Sequence, residues 1–172
     1  LDRNIGIAEV IVYFDTEFTS LDFGLVFEMK LISAGFVAEN GQEFYFELLD
    51  NYQKSDCSGF VIDNVLPHLN NGKHGLLSVQ AASKLKSWVE AFGEPVYMAC
   101  DAPNYDWPLV MDFLKENKCW PENLDGLPLN VGGYLSHERV EKYFEYQPMA
   151  IRHHSLWDAR ALAAAAKGPI DD

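Results

Sequence analysis

Residues 10–19, Val-Ile-Val-Tyr-Phe-Asp-Thr-Glu-Phe-Thr, constrain this chain more than any other stretch. Val10 to Phe14 is a run of β-formers without a charge, the pattern of a buried central strand. Asp15 and Glu17 then follow, separated by one residue. Alternate side chains on a strand share a face, so the two carboxylates point the same way. Held at the edge of an apolar core, they repel unless a cation lies between them. A hard divalent ion that prefers oxygen ligands, such as Mg²⁺ or Mn²⁺, resolves that conflict. A strand ending in a solvated Asp-x-Glu accounts for these ten residues equally well, and the rest of the chain must decide.

The flanking pattern predicts where that strand lies. Leu31 to Ala38 and Glu43 to Leu49 read as two further strands joined at Asn40-Gly41, a two-residue hairpin signal. A short helix is expected within Gly59 to Leu69, ending near Pro67, and the cluster from Asn70 to Gly75 reads as loop. Ser78 to Phe92 has helical spacing of apolar residues, with Ser78 as N-cap and Gly93 as stop. Pro95 to Cys100 is a fourth strand, Asn104 to Asn117 a helix, and Leu127 to Val131 a fifth strand. Helices over Ser136 to Tyr146 and Ile151 to Lys167 complete the order, and Ser20 to Lys30 is a loop carrying Asp22 and Gly24. An antiparallel meander followed by alternating strands and helices predicts an α/β mixed sheet with helices on both faces. The acidic pair then ends a central strand, where open α/β sheets place their ligands.

Composition narrows the partners. At 172 residues and 48% hydrophobic, the chain suits one globular domain. A formal charge of −13 argues against coating duplex nucleic acid through counterion release. It leaves room for an enzyme whose bound cations grip a few phosphates. Cys57, Cys100 and Cys119 form no Cys-x-x-Cys pair and read as the reduced thiols of a cytoplasmic protein. No apolar run is long enough to span a bilayer, so no membrane partner is expected.

Two further constellations carry polar chemistry. Asp106 opens the helix that follows the fourth strand, where a carboxylate also serves as simple helix-dipole compensation. Asp101, at the strand end, competes with it for the same role. Tyr105 and Trp107 flank Asp106 and are candidate base contacts. The third constellation is His153-His154 with Asp158. His153 and Asp158 lie about 140° apart if the whole segment is helical. His153 reaches the acids only from a loop before the helix, whereas His154 and Asp158, one turn apart, share a face. Four acids converging from a strand end and two helices fit two divalent ions and in-line phosphoryl transfer, with a histidine to take the proton of water. Among the scattered cations Arg139, Lys142, Arg152 and Arg160, most are expected in solvent. Arg152 is the best placed for a phosphate.

Asp15-Thr16-Glu17, Tyr105-Asp106, and His153 with four residues before Asp158 resemble the three exonuclease motifs of the DEDDh superfamily. The opening motif departs from the superfamily's Asp-x-Glu-Thr-Thr-Gly-Leu at Phe18 and Ser20. Phe14 to Phe18, the hairpin from Leu31 to Gly41, Val65-Leu66-Pro67 and His154 to Arg160 are more closely similar to the mycobacterial-type 3′-to-5′ exoribonuclease family. The likeness spans residues 12 to 162.

The resemblance implies a single ribonuclease H-like exonuclease domain with its core over about residues 8–167. Its mixed sheet would have five strands, three antiparallel and then two parallel. It further implies two ions, Mg²⁺ or Mn²⁺. Asp15, Glu17 and Asp158 would hold one, Asp15 would be shared with the second, and Asp106 would complete the metal set and orient water. His153 would be the general base. Thr16, Phe18 and Thr19 would contact the terminal nucleotide, joined by Tyr105. The implied reaction releases nucleoside 5′-monophosphates from the 3′ end of single-stranded RNA, and the implied assembly is a homodimer. A DNA or mixed-substrate exonuclease is the alternative, and a non-catalytic nucleic-acid-binding protein of the same fold a further one.

Overall fold

The computed structural model describes residues 8–21, 29–133 and 137–168. Asp22, Gly24 and Ser136 lie outside the described residues.

The first strand forms where its uncharged run predicts, as β1 (Val10–Phe18). It pairs antiparallel with β2 (Leu31–Ala38), which pairs antiparallel with β3 (Glu43–Leu48). The hairpin between them is wider than Asn-Gly alone implies. Ala38 N–H donates to Gln42 O at 2.8 Å, closing a three-residue loop in which Gly41 takes the positive φ of 87°. That geometry turns the strands with a bulge rather than a two-residue turn.

The sheet has six strands, not the five expected. After α1 (Gly59–Asn64) and a 3₁₀ turn at Leu66–His68, residues 70–75 are not loop. They form a single helical turn, α2 (Asn71–His74), and enter β4 (Gly75–Leu76), which pairs parallel with the outer edge of β3. Gly75 permits this. A Cβ there would lie 2.3 Å from Asn71 O, so only a bare backbone can turn from that helix onto the sheet edge.

Helix α3 (Ser78–Glu90) follows. Ser78 is its first residue rather than its cap. Its N–H and hydroxyl both donate to Asp50 Oδ1, at 2.8 and 2.7 Å, so an acid 28 residues upstream neutralises this helix end. Next come β5 (Val96–Cys100), parallel to β1, and α4 (Asp106–Glu116). Then follow β6 (Leu129–Asn130), parallel to β5, α5 (His137–Tyr146) and α6 (Ser155–Ala166). The strand order is β4-β3-β2-β1-β5-β6, so β1 is central. No helix among the described residues is long and apolar enough to cross a membrane.

Period-two alternation sorts β1 between two layers. Phe14 faces α3 and α4, in a core with Phe36, Phe46, Leu85, Val89 and Phe113. Tyr13 faces α6, with Val37, Ala159, Leu162 and Ala163. Asp15 and Glu17 share the Tyr13 side, so they point toward α6 and its Asp158.

Helix α6 reaches the sheet through backbone. A Cβ on Gly35 would lie 2.4 Å from both Leu156 Cα and Leu156 N. Ser33 Oγ, two residues away on the same face, meets Ser155 Oγ at 3.1 Å. Farther along, Arg160 donates twice to Glu43 at 2.7 and 2.6 Å, tying α6 to β3. Arg139, Lys142 and Arg152 are also partnered rather than free in solvent. Arg152 pairs with Glu141, Lys142 with Glu138 at 4.0 Å, and Arg139 donates to Ala165 O at 3.3 Å.

Gly35→Ala should therefore lift the start of α6, costing about 1–3 kcal/mol or more of stability. Gly59→Ala, which has open space within 4 Å, serves as the control and should cost nothing. Chemical denaturation of the two variants decides it. Equal stability would mean that α6 is not seated on Gly35.

Candidate active site

Three elements deliver the acids. β1 supplies Asp15 and Glu17 from the α6 side of the sheet. The first turn of α6 supplies Asp158, whose Oδ2 accepts from His154 N–H at 3.1 Å, so the same carboxylate caps its own helix. The start of α4 supplies Asp106, which is buried. Thr16, on the opposite side of β1 from Asp15, is also buried and donates its hydroxyl to Asp106 Oδ1 at 2.5 Å. That bond locks the helix-borne acid to the strand end.

Asp15, Glu17 and Asp158 each offer an oxygen, and these oxygens lie within 4.8 Å of one another. The same holds for Asp15, Asp101 and Asp106. Asp15 belongs to both sets. Asp101 and Asp106, rivals in the sequence, are thus both brought to it.

The electrostatics show how badly this cluster needs a counter-charge. Burial holds the Asp15 carboxyl well above the usual range, reinforced by repulsion from Asp106, Asp158, Glu17 and Asp101. Burial, then Asp158 and Asp106, push Glu17 up to about 8. Asp106 is pushed up to about 7 by burial, opposed by the Thr16 hydroxyl. Asp158 rises to about 6 by burial, opposed by the His154 N–H and by Arg152. Two overlapping all-carboxylate sets with one shared member fit two hard divalent cations, which take oxygen ligands and cancel this repulsion.

Beside the acids opens a cleft of about 550 Å³. Phe18, Phe60 and Tyr105 line its walls, with His153 at its rim. A register shift between Glu17 and Phe18 marks a bulge that re-aims Phe18. Tyr105 is 40% exposed, as a base contact requires, but Trp107 is not available. It is buried and packs edge-on against Phe14 and Trp120. Thr19 does not line the cleft either. It is 1% exposed, and its hydroxyl oxygen accepts from Lys30 N–H at 3.1 Å, so it closes the strand end rather than meeting a nucleotide.

The two histidines separate. Helix α6 starts at Ser155, four residues later than the apolar pattern predicts, which leaves His153 on the preceding loop with a φ of 59°. There it lines the cleft, and its ring meets Phe60 edge-on with centroids 4.9 Å apart. Burial, Arg152 and His68 depress its pKa, which keeps the imidazole neutral and able to accept a proton near pH 7. His154 turns away, stacks on Tyr45 at 4.7 Å, and is pushed down to about 4 by burial. Phe60 is the cleft residue that the sequence conceals. It is 55% exposed, yet it stands in an apolar run, Phe60-Val61-Ile62, that reads as core.

No protein-family model and no curated protein matches the sequence. Solved structures do match the fold. The nuclease domain of 3′hExo, a DEDDh family member bound to rAMP, superposes with a TM-score of 0.58 at 14% identity, covering 91% of this chain and 89% of that one. S. pombe Pop2p in its Mg²⁺- and Mn²⁺-bound form gives 0.57 at 13% identity, covering 91% and 80%. Cell-death related nuclease 4 gives 0.58 at 13% identity, covering 92% of this chain, which spans 62% of that protein. The architecture shared at this level is the ribonuclease H-like exonuclease fold.

Stability should report the charge conflict directly. A carboxyl with a raised folded pKa keeps its proton in the folded chain after the unfolded chain has released it. Between an unfolded value of about 4 and folded values of about 6 to about 8, the unfolded chain binds fewer protons, so stability falls as pH rises. In chelator, Tm should drop from pH 5 to pH 8. Mn²⁺ or Mg²⁺ at a hundred times its Kd should restore about 2.7 kcal/mol per site at the upper end. Calorimetry showing a flat profile, with no response to either ion, would remove the acids as a metal centre.

Proposed function

We propose that this chain is a metal-dependent 3′-to-5′ exonuclease that releases nucleoside 5′-monophosphates from single-stranded RNA. One observation carries the proposal: two carboxylate sets sharing Asp15 open directly onto an aromatic-walled cleft with a neutral histidine at its rim. Metal-bound Pop2p and rAMP-bound 3′hExo, similar in fold, support the same reading. The RNA preference follows the exoribonuclease resemblance of the motifs.

Asp15, Glu17 and Asp158 would hold one Mg²⁺ or Mn²⁺, and Asp15 with Asp106 and Asp101 a second. Bound there, the ions supply Lewis-acid stabilisation of the phosphate. The remaining work falls to the chain. Phe18, Phe60 and Tyr105 stack on the terminal base and exclude water from the cleft. His153 takes a proton from the attacking water as that water approaches phosphorus. Thr16 positions Asp106 through its hydroxyl and lines the cleft beside the terminal nucleotide. Residues 8–167 act as one domain, and the assembly is a homodimer, measurable by sedimentation.

Incubating end-labelled RNA and DNA strands with Mn²⁺, Mg²⁺ or chelator tests the proposal. Stepwise loss from the 3′ end of RNA, dependent on metal, is expected. Equal turnover of DNA would make it a mixed-substrate enzyme, and no turnover of either would end the proposal. Asp15→Ala and Asp158→Ala should abolish cleavage in folded protein. His153→Ala should cost about 10²–10⁴-fold in kcat, while His154→Ala should not approach that. Thr16→Val should weaken metal binding about 10–100-fold, measured by titration calorimetry.

A further inference from the structure

The acids border two cavities. Asp15, Asp101 and Asp158 line the aromatic cleft and also a second cavity of about 530 Å³. The first lies toward the end of β1 and α1, since Phe18, Phe60 and Val61 line it. The second lies toward β6 and α5, lined by Asn130, Gly132, Gly133, His137 and Arg152. Among the described residues its walls carry no Phe, Tyr or Trp.

A phosphodiester seated at the acids has two ester arms. With the terminal nucleoside in the aromatic cleft, the arm carrying the rest of the strand needs its own way out. The second cavity provides one that shares the same three carboxylates. We propose that this cavity binds the sugar-phosphate backbone of the nucleotides upstream of the scissile bond, with Arg152 as the cation that meets a phosphate. This deepens the exonuclease reading and rests on it.

Arg152 is the one permanent cation among the described residues lining either cavity. It is pre-positioned. Glu141 of α5 pairs with Nη2, and the guanidinium carbon sits 4.1 Å from the centroid of the Phe144 ring. The side chain keeps 39% exposure. Its planar fork, held from one edge and one face, still has donors for a phosphate oxygen.

The floor of the cavity is nearly bare. A Cβ on Gly132 would lie 2.7 Å from Asp101 O, so the loop after β6 presses against the end of β5. A Cβ on Gly133 would meet nothing within 4 Å. Among the described residues the wall offers an arginine and no large aromatic face, so its contacts go mainly to the backbone and upstream sequence should matter little.

The test compares two substrates, the p-nitrophenyl ester of uridine 5′-monophosphate and a short single-stranded oligoribonucleotide. Arg152→Ala removes the cation. Gly133→Glu adds bulk and negative charge to the open floor. Both variants should raise KM for the oligonucleotide at least tenfold, and Gly133→Glu should leave kcat/KM for the ester within twofold. Arg152→Ala should also flatten the slope of log KM against log salt by about 0.7, the loss of one phosphate contact to a single strand. An oligonucleotide KM unchanged in both variants would overturn the proposal, as would parallel losses on both substrates in Gly133→Glu. A wild-type protein that cleaves the ester but not the oligonucleotide would overturn it while leaving the chemistry standing. Cleavage of neither would remove the exonuclease reading itself.

Discussion

Everything at this site depends on a backbone-to-backbone contact. The first turn of α6 sits on β2 at Gly35, where no side chain intervenes. That approach brings Asp158 within ligand distance of Asp15 and Glu17, which project from the neighbouring strand on the same face. The Ser33–Ser155 contact and the doubled Arg160–Glu43 pair hold the helix at its start and one turn on. The geometry of the acids is therefore set by the close packing of a helix on a sheet. Their charges, left alone, would drive it apart. The stability for that opposition comes from the apolar layers behind the site, where Phe14, Phe36 and Phe46 pack against α3 and α4.

Much of this arrangement was legible in the sequence because it follows from periodicity. An uncharged run ending in Asp-x-Glu places two carboxylates on one face whatever the rest of the chain does. The alternation of strands and helices predicted a mixed sheet with β1 inside it, and β1 is central. The features that escaped depend on partners distant in sequence or on very short elements. Two residues of β4, inside a cluster rich in Asn and Gly, carry no period to detect. Ser78 looks like a cap until Asp50 is seen to occupy that helix end. Thr19 and Trp107 sit beside motif residues yet turn into the interior, and Phe60 sits in an apolar run yet turns out. Adjacency to a motif identifies a neighbourhood, whereas the pleat of the strand and the start of the helix decide which way each side chain points.

The strongly acidic composition is consistent with this picture. In the proposed exonuclease, anionic side chains elsewhere on the surface would keep a polyanion from adhering without purpose, and cations drawn into the acid cluster would create attraction only at the acids. On that proposal, specific recognition would rest on a few rings and one clamped arginine rather than on a basic face.

The left-handed backbone at His153 narrows what evolution or a designer can place there. Few side chains tolerate a φ of 59°; His, Asn and Asp are among those enriched in that region, and β-branched residues are strongly disfavoured. The imidazole is thus aimed by a twist in the main chain as much as by its own rotamers. If His153 is the proposed base, its chemistry and the chain direction at this corner are one specification, and a replacement must satisfy both at once.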